Sequence, residues 1–193
     1  MADDTDRLDD RLNQLGPSSP VPDYRELWTT VESVWADTVT QAARLPESAA
    51  QLRVNGEWSF VETLRHLVFA TDAWAGRAIL GVEWPYHRFG ITQSEYTPPA
   101  ELGLDPAARP DRAEVLPVRA DRQRVVRDLL AGLTDVDLER SWIHPPVPDF
   151  SGESMTVRAA LWFLLHEEIS HHRYAARDLA ILLDQSPGAD RRR

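Results

Sequence analysis

The segment Leu165–Arg173 carries the residues best suited to chemistry, two carboxylates followed by two imidazoles. Glu168 precedes His172 by four residues, which is about one helical turn, so both side chains project from one face and can reach a single point. A further imidazole, His66, lies far upstream in a second helical segment. Two neutral imidazoles and one carboxylate form a suitable ligand set for a divalent transition metal. The spacing therefore predicts a metal site that uses His66, Glu168 and His172.

Two alternatives to this ligand set remain open. Glu167 and His171 have the same four-residue spacing but point about 100° away around the helix. Glu168 and His172 interrupt an apolar stripe that includes Leu165, which favours them as the inward pair. A buried carboxylate needs a partner, and an arginine across a helix bundle would serve as well as a metal ion.

The other histidines have weaker patterns. His166 and His171, with Glu167 between them, resemble the zinc-protease motif H-E-x-x-H, but a five-residue spacing turns the imidazoles about 140° apart. That motif is therefore excluded. His87 and His144 lie among prolines and aromatic residues, where they could line a pocket or transfer protons, although exposed loop histidines without a role are commoner.

The elements that must position these side chains have the periodicity of long helices, which predicts an all-α four-helix bundle. The second helix opens on the capping box of Ser59 and Glu62 and closes at Gly81. Long loops follow the second and third helices. We expect residues 21–184 to form the bundle, 1–20 a disordered arm and 185–193 a disordered tail. The predicted helices are approximately 24–43, 59–81, 118–133 and 156–183.

Composition excludes several classes of function. The chain has no cysteine, so any metal must be bound by nitrogen and oxygen, and any thiol must come from outside. A net charge of −10 argues against a nucleic-acid-binding surface. No apolar run is long enough to span a bilayer, and the N-terminus is acidic, unlike a secretory signal. We therefore expect a cytoplasmic protein with a small-molecule substrate.

Two segments resemble the signatures of the DinB/YfiT-like superfamily of metalloenzymes. They are Trp58–Leu67 and Glu167–Leu179, and the resemblance extends over roughly 23–183. It implies a four-helix bundle with a three-ligand site, commonly for zinc or nickel, at one mouth of the bundle. The usual pattern takes one histidine from the second helix and a His-x3-His pair from the last.

A glutamate stands four residues before His172, where the usual family pattern has histidine. This chain is therefore similar to the mycothiol-dependent maleylpyruvate isomerase branch, which uses His, Glu and His. The similarity implies His66, Glu168 and His172 as ligands, and mycothiol or another low-molecular-weight thiol as co-substrate. It implies a thiol-dependent transferase or isomerase, and a homodimer, as many members form. The alternatives are a metal-dependent hydrolase and a non-catalytic helical binding or stress-response protein.

Overall fold

Helices are the regular elements of residues 2–93 and 96–185, the part of the chain that this computed structural model describes. Within these residues, no strand occurs beyond an isolated bridge between Ser141 and Thr156. The prediction of an all-α fold is confirmed. The α-helices are α1 Ala2–Gln14, α2 Val21–Ala42, α3 Glu47–Ala50, α4 Phe60–Thr71, α5 Arg112–Gly132 and α6 Val157–Gln185. The π-helical segment Asp72–Ile79 continues α4, and short 3-10 turns occur at Ala100–Leu102 and Asp137–Glu139.

The four long helices α2, α4, α5 and α6 form the bundle. Both α2 and α4 contact α5 and α6, so α2 and α4 occupy diagonal corners. Their inward stripes contribute the large buried side chains of the core, including Trp28, Trp35, Leu64 and Leu161. Burial of such side chains is the main stabilising contribution in a bundle, at about 1.5–3 kcal/mol each. The rigid core fixes the rotation of each helix, and therefore which side chains meet.

The helix that carries His66 begins where the sequence predicts. Ser59 accepts a hydrogen bond from the amide of Glu62 at 3.2 Å, and the Glu62 carboxylate accepts one from the Ser59 amide at 2.9 Å. This reciprocal capping box satisfies two amides that the first turn leaves unpaired. The helical run ends before Gly81, whose φ of 73° lies in the left-handed region that glycine tolerates best.

The helix α5 begins earlier than the sequence predicts. A second capping box, formed by Asp111 and Glu114, starts it at Arg112. The sequence predicts a start at about 118, six residues later. In the structure Pro117 lies inside the helix, in its second turn, where it lacks the amide that would bond to the carbonyl of Ala113. One additional turn and a half of α5 therefore packs on the bundle.

The N-terminal arm predicted to be disordered is largely helical. Helix α1 spans Ala2–Gln14 and packs on α6 and α2, and it buries Leu8 and Leu12 to 1% and 2% exposure. Two leucines four residues apart form an apolar stripe on one face of the helix. Because most of the surrounding residues are charged, the overall composition of the arm does not reveal this stripe. Arg11 also bonds to Thr30 at 2.9 Å. The predicted tail lies almost wholly outside the described residues, and the domain limits stay a prediction.

Helix α6 is the longest element, with 29 residues. It contacts α1, α2, α4 and the π-helical segment, and its buried residues include the polar Glu168, His172 and Asp178. Among the helices of the described chain, none, including this one, has the length and apolar character needed to cross a membrane. The polar residues of α6 therefore need partners within the protein.

Candidate metal centre

Three side chains able to hold a metal ion converge where α4 faces α6. His66 comes from α4, whereas Glu167 and His171 come from successive turns of α6. The Oε2 of Glu167 lies 3.2 Å from the Nε2 of His66 and 3.2 Å from the Nε2 of His171. One ligand atom from each residue lies within 4.8 Å of the other two. We call these three residues the triad.

The donor atoms of the triad have the spacing that a metal ion needs. Zinc binds imidazole nitrogen and carboxylate oxygen at about 2.0–2.2 Å, so two ligands of a tetrahedral ion lie about 3.4 Å apart. Both nitrogen–oxygen separations in the triad are 3.2 Å, close to that value. Two nitrogens and one oxygen also suit several divalent transition metals. The triad therefore fits such an ion.

The hydrogen bonding of His66 directs an unprotonated nitrogen towards the carboxylate. Its Nδ1 lies 3.1 Å from the carbonyl oxygen of Ile91, and because a carbonyl only accepts, Nδ1 carries the proton. In the neutral imidazole, Nε2 then presents a lone pair to Glu167, and two acceptors face each other at 3.2 Å. A cation or an added proton removes this conflict. A backbone carbonyl that orients the imidazole is common in metal sites.

The triad is partly shielded from water. The side chain of His66 is 4% exposed, that of His171 17% and that of Glu167 31%. Burial alone would raise the pKa of Glu167, but hydrogen bonds and charges from His171 and His66 in their protonated forms hold that pKa well below its usual range. The ring of Trp58 covers both imidazoles, with centroid distances of 4.7 Å to His66 and 5.7 Å to His171. The carboxylate therefore stays ionised, as metal binding requires.

The structure does not bring the predicted ligands Glu168 and His172 to His66. Glu168 is fully buried and forms an ion pair with Arg119 of α5. His172 is also buried, and its Nε2 lies 2.9 Å from the Oγ1 of Thr38 in α2. The arginine partner considered for a buried carboxylate is therefore present. These two side chains bind inside the bundle, away from the triad.

The geometry favours the alternative register of α6, with Glu167 and His171. This pair lies on the partly exposed face of the helix, whereas Glu168 and His172 face the closed core. A metal site that exchanges ligands needs an open position towards solvent or a cavity. The prediction from sequence selected the more buried pair, and neither of its residues lines the two cavities that border the triad. Metal binding by the triad stays a prediction.

One cavity opens on the side of the triad formed by His66 and Glu167. Its volume is about 280 Å³, and its walls come from α4, the π-helical segment and the two long loops. We call it the aromatic cavity because Phe69, Trp74 and Phe150 line it. A small molecule held there would lie next to the triad.

A second cavity of about 440 Å³ opens on the side formed by His171. We call it the polar cavity. Its charged members are paired: Arg53 donates two hydrogen bonds to Glu62, at 2.9 and 2.7 Å, and Glu57 accepts one from Arg177 at 2.5 Å. The residues that line it are Arg53, Gly56, Glu57, Trp58, Thr63, Gln93, His171 and Tyr174. The triad therefore has access from two compartments.

The wall of the aromatic cavity includes the π-helical segment that continues α4. Ala73 and Trp74 of this segment face the cavity. Asp72 anchors it, because its carboxylate accepts a bond from Arg122 at 2.7 Å and one from the backbone amide of His87 at 2.8 Å. A π-helical turn is rare and frequently marks a functional site, since it displaces side chains from the ordinary helical register.

His87, one of the two loop histidines, has a local role in the structure. The amide of Phe89 donates to Nδ1 of His87 at 3.1 Å, and burial, with Arg122 and Arg88 nearby, lowers the pKa of His87. Among the described residues that line the two cavities, neither His87 nor His144 is present. A role for His87 or His144 beside the triad therefore has no support from these linings.

Sequence reasoning missed three residues that shape the site. Arg119 shares a face of α5 with the buried Val115 and Val126. A helix predicted to begin at Arg112 would have included Val115, and the spacing would then have identified Arg119 as an inward residue. Tyr96 and Asp149 line the aromatic cavity from different loops. No periodic pattern marks loop residues, so the sequence carries no signal for them.

Comparison with known families supports the resemblance drawn from the two signatures. The model of the DinB superfamily matches residues 30–175, which is more than half of the chain and includes all three residues of the triad. The chain has no match among curated proteins or among solved structures.

Proposed function

Because the chain belongs to the DinB superfamily, we propose that the triad binds a divalent metal ion and that the protein is a thiol-dependent transferase or isomerase. One observation carries this proposal: the triad lies between two cavities, one on the side of His66 and Glu167 and the other on the side of His171. A reaction between two organic molecules needs a compartment for each beside one reactive centre. Hydrolysis needs only one, because water requires no cavity of its own.

The metal and the thiol follow from the family and from the composition. Zinc or nickel is the metal that the resemblance implies, and mycothiol or a similar small thiol is the co-substrate. Since the chain has no cysteine, it must obtain a thiol from outside. When bound, a divalent metal supplies a positive charge that lowers the pKa of a thiol beside it.

The residues around the triad hold and separate the two reactants. The polar cavity, on the side of His171, suits a thiol that carries polar groups, and the aromatic cavity suits its reaction partner. Trp58 packs over the imidazoles and limits the access of water. Gln93 lines both cavities and is placed to bond with either reactant. Such positioning raises the rate by converting a bimolecular step into a step within one complex.

Metal content tests the proposal first, by elemental mass spectrometry of untagged wild type, His171→Ala and His172→Ala. The two variants are matched, because each removes one imidazole from the same turn of α6. We expect near-stoichiometric metal in wild type and His172→Ala, and its loss in His171→Ala. If His172→Ala unfolds by circular dichroism, His172→Asn replaces it. Loss only on substitution of His172 would assign the other register, and no metal in any sample after reloading would refute the proposal.

Thiol dependence tests the reaction class. Monochlorobimane becomes fluorescent when the thiol sulfur bonds to its chloromethyl carbon, as chloride leaves and the thiol proton passes to buffer. We expect the metal-loaded protein to accelerate this reaction with added thiol, and His171→Ala to abolish the acceleration. Release of a hydrolysis product without thiol would indicate the metal-dependent hydrolase instead. Metal binding without any acceleration, for thiols including mycothiol, would indicate a non-catalytic binding or stress-response protein.

Two further properties belong to this proposal. We propose a homodimer, as many members of the family form, and activity in the cytoplasm on a small molecule. Light scattering after gel filtration measures the mass in solution, and 21.9 kDa, the mass of one chain, would refute the dimer.

A further inference from the structure

The aromatic cavity has the size and walls of a site for a single ring. At about 280 Å³ it is roughly twice the 150 Å³ of an engineered apolar cavity that binds benzene. Phe69, Trp74 and Phe150 supply flat apolar surfaces, and Ala70 and Ala73 leave room between them. Aromatic faces of this kind stack on rings in offset or edge-to-face geometry.

Without a metal ion in the triad, the charged side chains that line this cavity are carboxylates. Glu167 and Asp149 line it, no arginine occurs among the described lining residues, and the chain contains no lysine. A carboxylate or phosphate entering the cavity would therefore approach two carboxylates and find no arginine. Like charges at short range repel, and the repulsion grows as water is excluded.

The nearest arginines on the same helical run are engaged elsewhere. Arg65 donates to the carbonyl of Phe89 at 2.7 Å and to that of Ala108 at 2.8 Å. Arg77 donates to the carbonyl of Pro145 at 2.9 Å. Both guanidinium groups therefore hold loop backbone in place, and neither lines the cavity.

The two long loops meet at the cavity. The hydroxyl of Tyr96 donates to the carboxylate of Asp149 at 2.5 Å, and that of Tyr86 donates to the carbonyl of Pro146 at 2.6 Å. Tyr96 and Asp149 lie 53 positions apart in sequence, so this contact joins the loops. It places a carboxylate in the lining where a donor group of a bound molecule can meet it.

We propose that the aromatic cavity binds an uncharged or cationic single-ring molecule whose donor group meets Asp149, and that it rejects carboxylates and phosphates. The inference rests on the proposed function, since the cavity opens on the triad, but the cavity's selectivity comes from its own lining. Within the thiol-dependent reaction, the ring compound is the partner of the thiol.

Three ligands of nearly equal size test the selectivity: benzylamine, benzyl alcohol and benzoate. Their affinities are measured by ligand-observed NMR titration of the full-length protein, zinc-loaded and after chelation. Because amines and carboxylates also bind zinc, the chelated protein reports the cavity alone. We expect benzoate to bind at least about fivefold more weakly than benzyl alcohol, as one close charge gives about fivefold in water.

Asp149→Asn localises the effect, and Glu153→Gln is its matched control. Glu153 is an exposed carboxylate of the same loop that does not line the cavity. We expect Asp149→Asn to lower the preference for benzylamine over benzyl alcohol about threefold to fivefold, and Glu153→Gln to leave it unchanged. Benzoate that binds as tightly as benzyl alcohol to the chelated protein, no binding by any ring, or equal effects of the two variants would overturn the inference. Loss of metal binding with this ranking intact would overturn only the proposed function.

Discussion

The buried ion pair between Arg119 and Glu168 gives the sharpest prediction about the stability of this protein. Arg119→Met keeps most of the side-chain volume but removes the charge. Glu168 is 0% exposed, so the substitution leaves a carboxylate without its cation in the core. Removing one partner of such a pair costs about 3–5 kcal/mol. We expect the free energy of unfolding of Arg119→Met at pH 7 to fall by that amount.

The cost of protonating Glu168 provides an independent magnitude. A carboxyl with the usual pKa of 4.5 is neutralised at pH 7 at a cost of about 3.4 kcal/mol. This value is an upper limit, because burial already raises the pKa of Glu168 in the wild type, and Arg119 opposes the rise. Without Arg119, the pKa of Glu168 in the folded variant lies above the 4.5 of the unfolded chain. The free energy of unfolding of the variant therefore falls as pH rises above 4.5. The penalty should therefore shrink to about 1 kcal/mol at pH 5.

A double-mutant cycle separates two quantities: the cost of leaving the Glu168 carboxylate without its cation, and the net contribution of the ion pair to the free energy of unfolding. Nε and Nη1 of Arg119 and Oε1 of Glu168 have no hydrogen-bond partner within the described residues, so desolvation is incompletely compensated. An apolar pair of similar volume is often as stable as a buried ion pair. We expect Arg119→Met with Glu168→Leu to unfold within about 1 kcal/mol of wild type.

Urea unfolding followed by circular dichroism, at pH 7 and pH 5, measures all four members of this cycle. The control for lost packing is Leu130→Ala on the same helix, whose cost should not depend on pH. If Arg119→Met lowers the free energy of unfolding by less than about 1 kcal/mol at pH 7, the Glu168 carboxylate does not depend on Arg119 and the prediction is wrong. A penalty that is equal at both pH values would contradict the assignment to Glu168.

Three further predictions concern other parts of the chain. Zinc at 100 times its dissociation constant should raise the free energy of unfolding of wild type by about 2.7 kcal/mol, but not that of His171→Ala, in urea titrations. Ser59→Ala removes a capping box and should cost about 1 kcal/mol by the same method; no change would show that the cap is not formed. Burial raises the pKa of Asp72 to about 6 from 3.8, against the opposing contact with Arg122. Its contribution to stability is therefore full below pH 3.8 and falls by up to about 3 kcal/mol as pH rises to 6. Asp72→Asn should remove this fall, and a difference from wild type that is the same at pH 4 and pH 7 would contradict it.

The sequence determines the four long helices of the bundle, apart from the start of α5, and the presence of a possible metal site. Periodic leucines and valines define the bundle, and the capping box at Ser59 locates the start of the helix that carries His66. The four-residue spacing also places each glutamate–histidine pair of α6 on one face, since a helical turn has about 3.6 residues. These properties depend on neighbours along the chain, so local pattern is sufficient for them.

Only the tertiary structure decides which pair meets His66. The two pairs are one residue apart, and the rotation of α6 about its axis selects between them. Arg119 of α5 and Thr38 of α2 bind Glu168 and His172, and this rotation turns the neighbouring pair towards the cavities. Those contacts join residues 49 and 134 positions apart. A helical period carries no information on them, because they arise from the packing of separate helices.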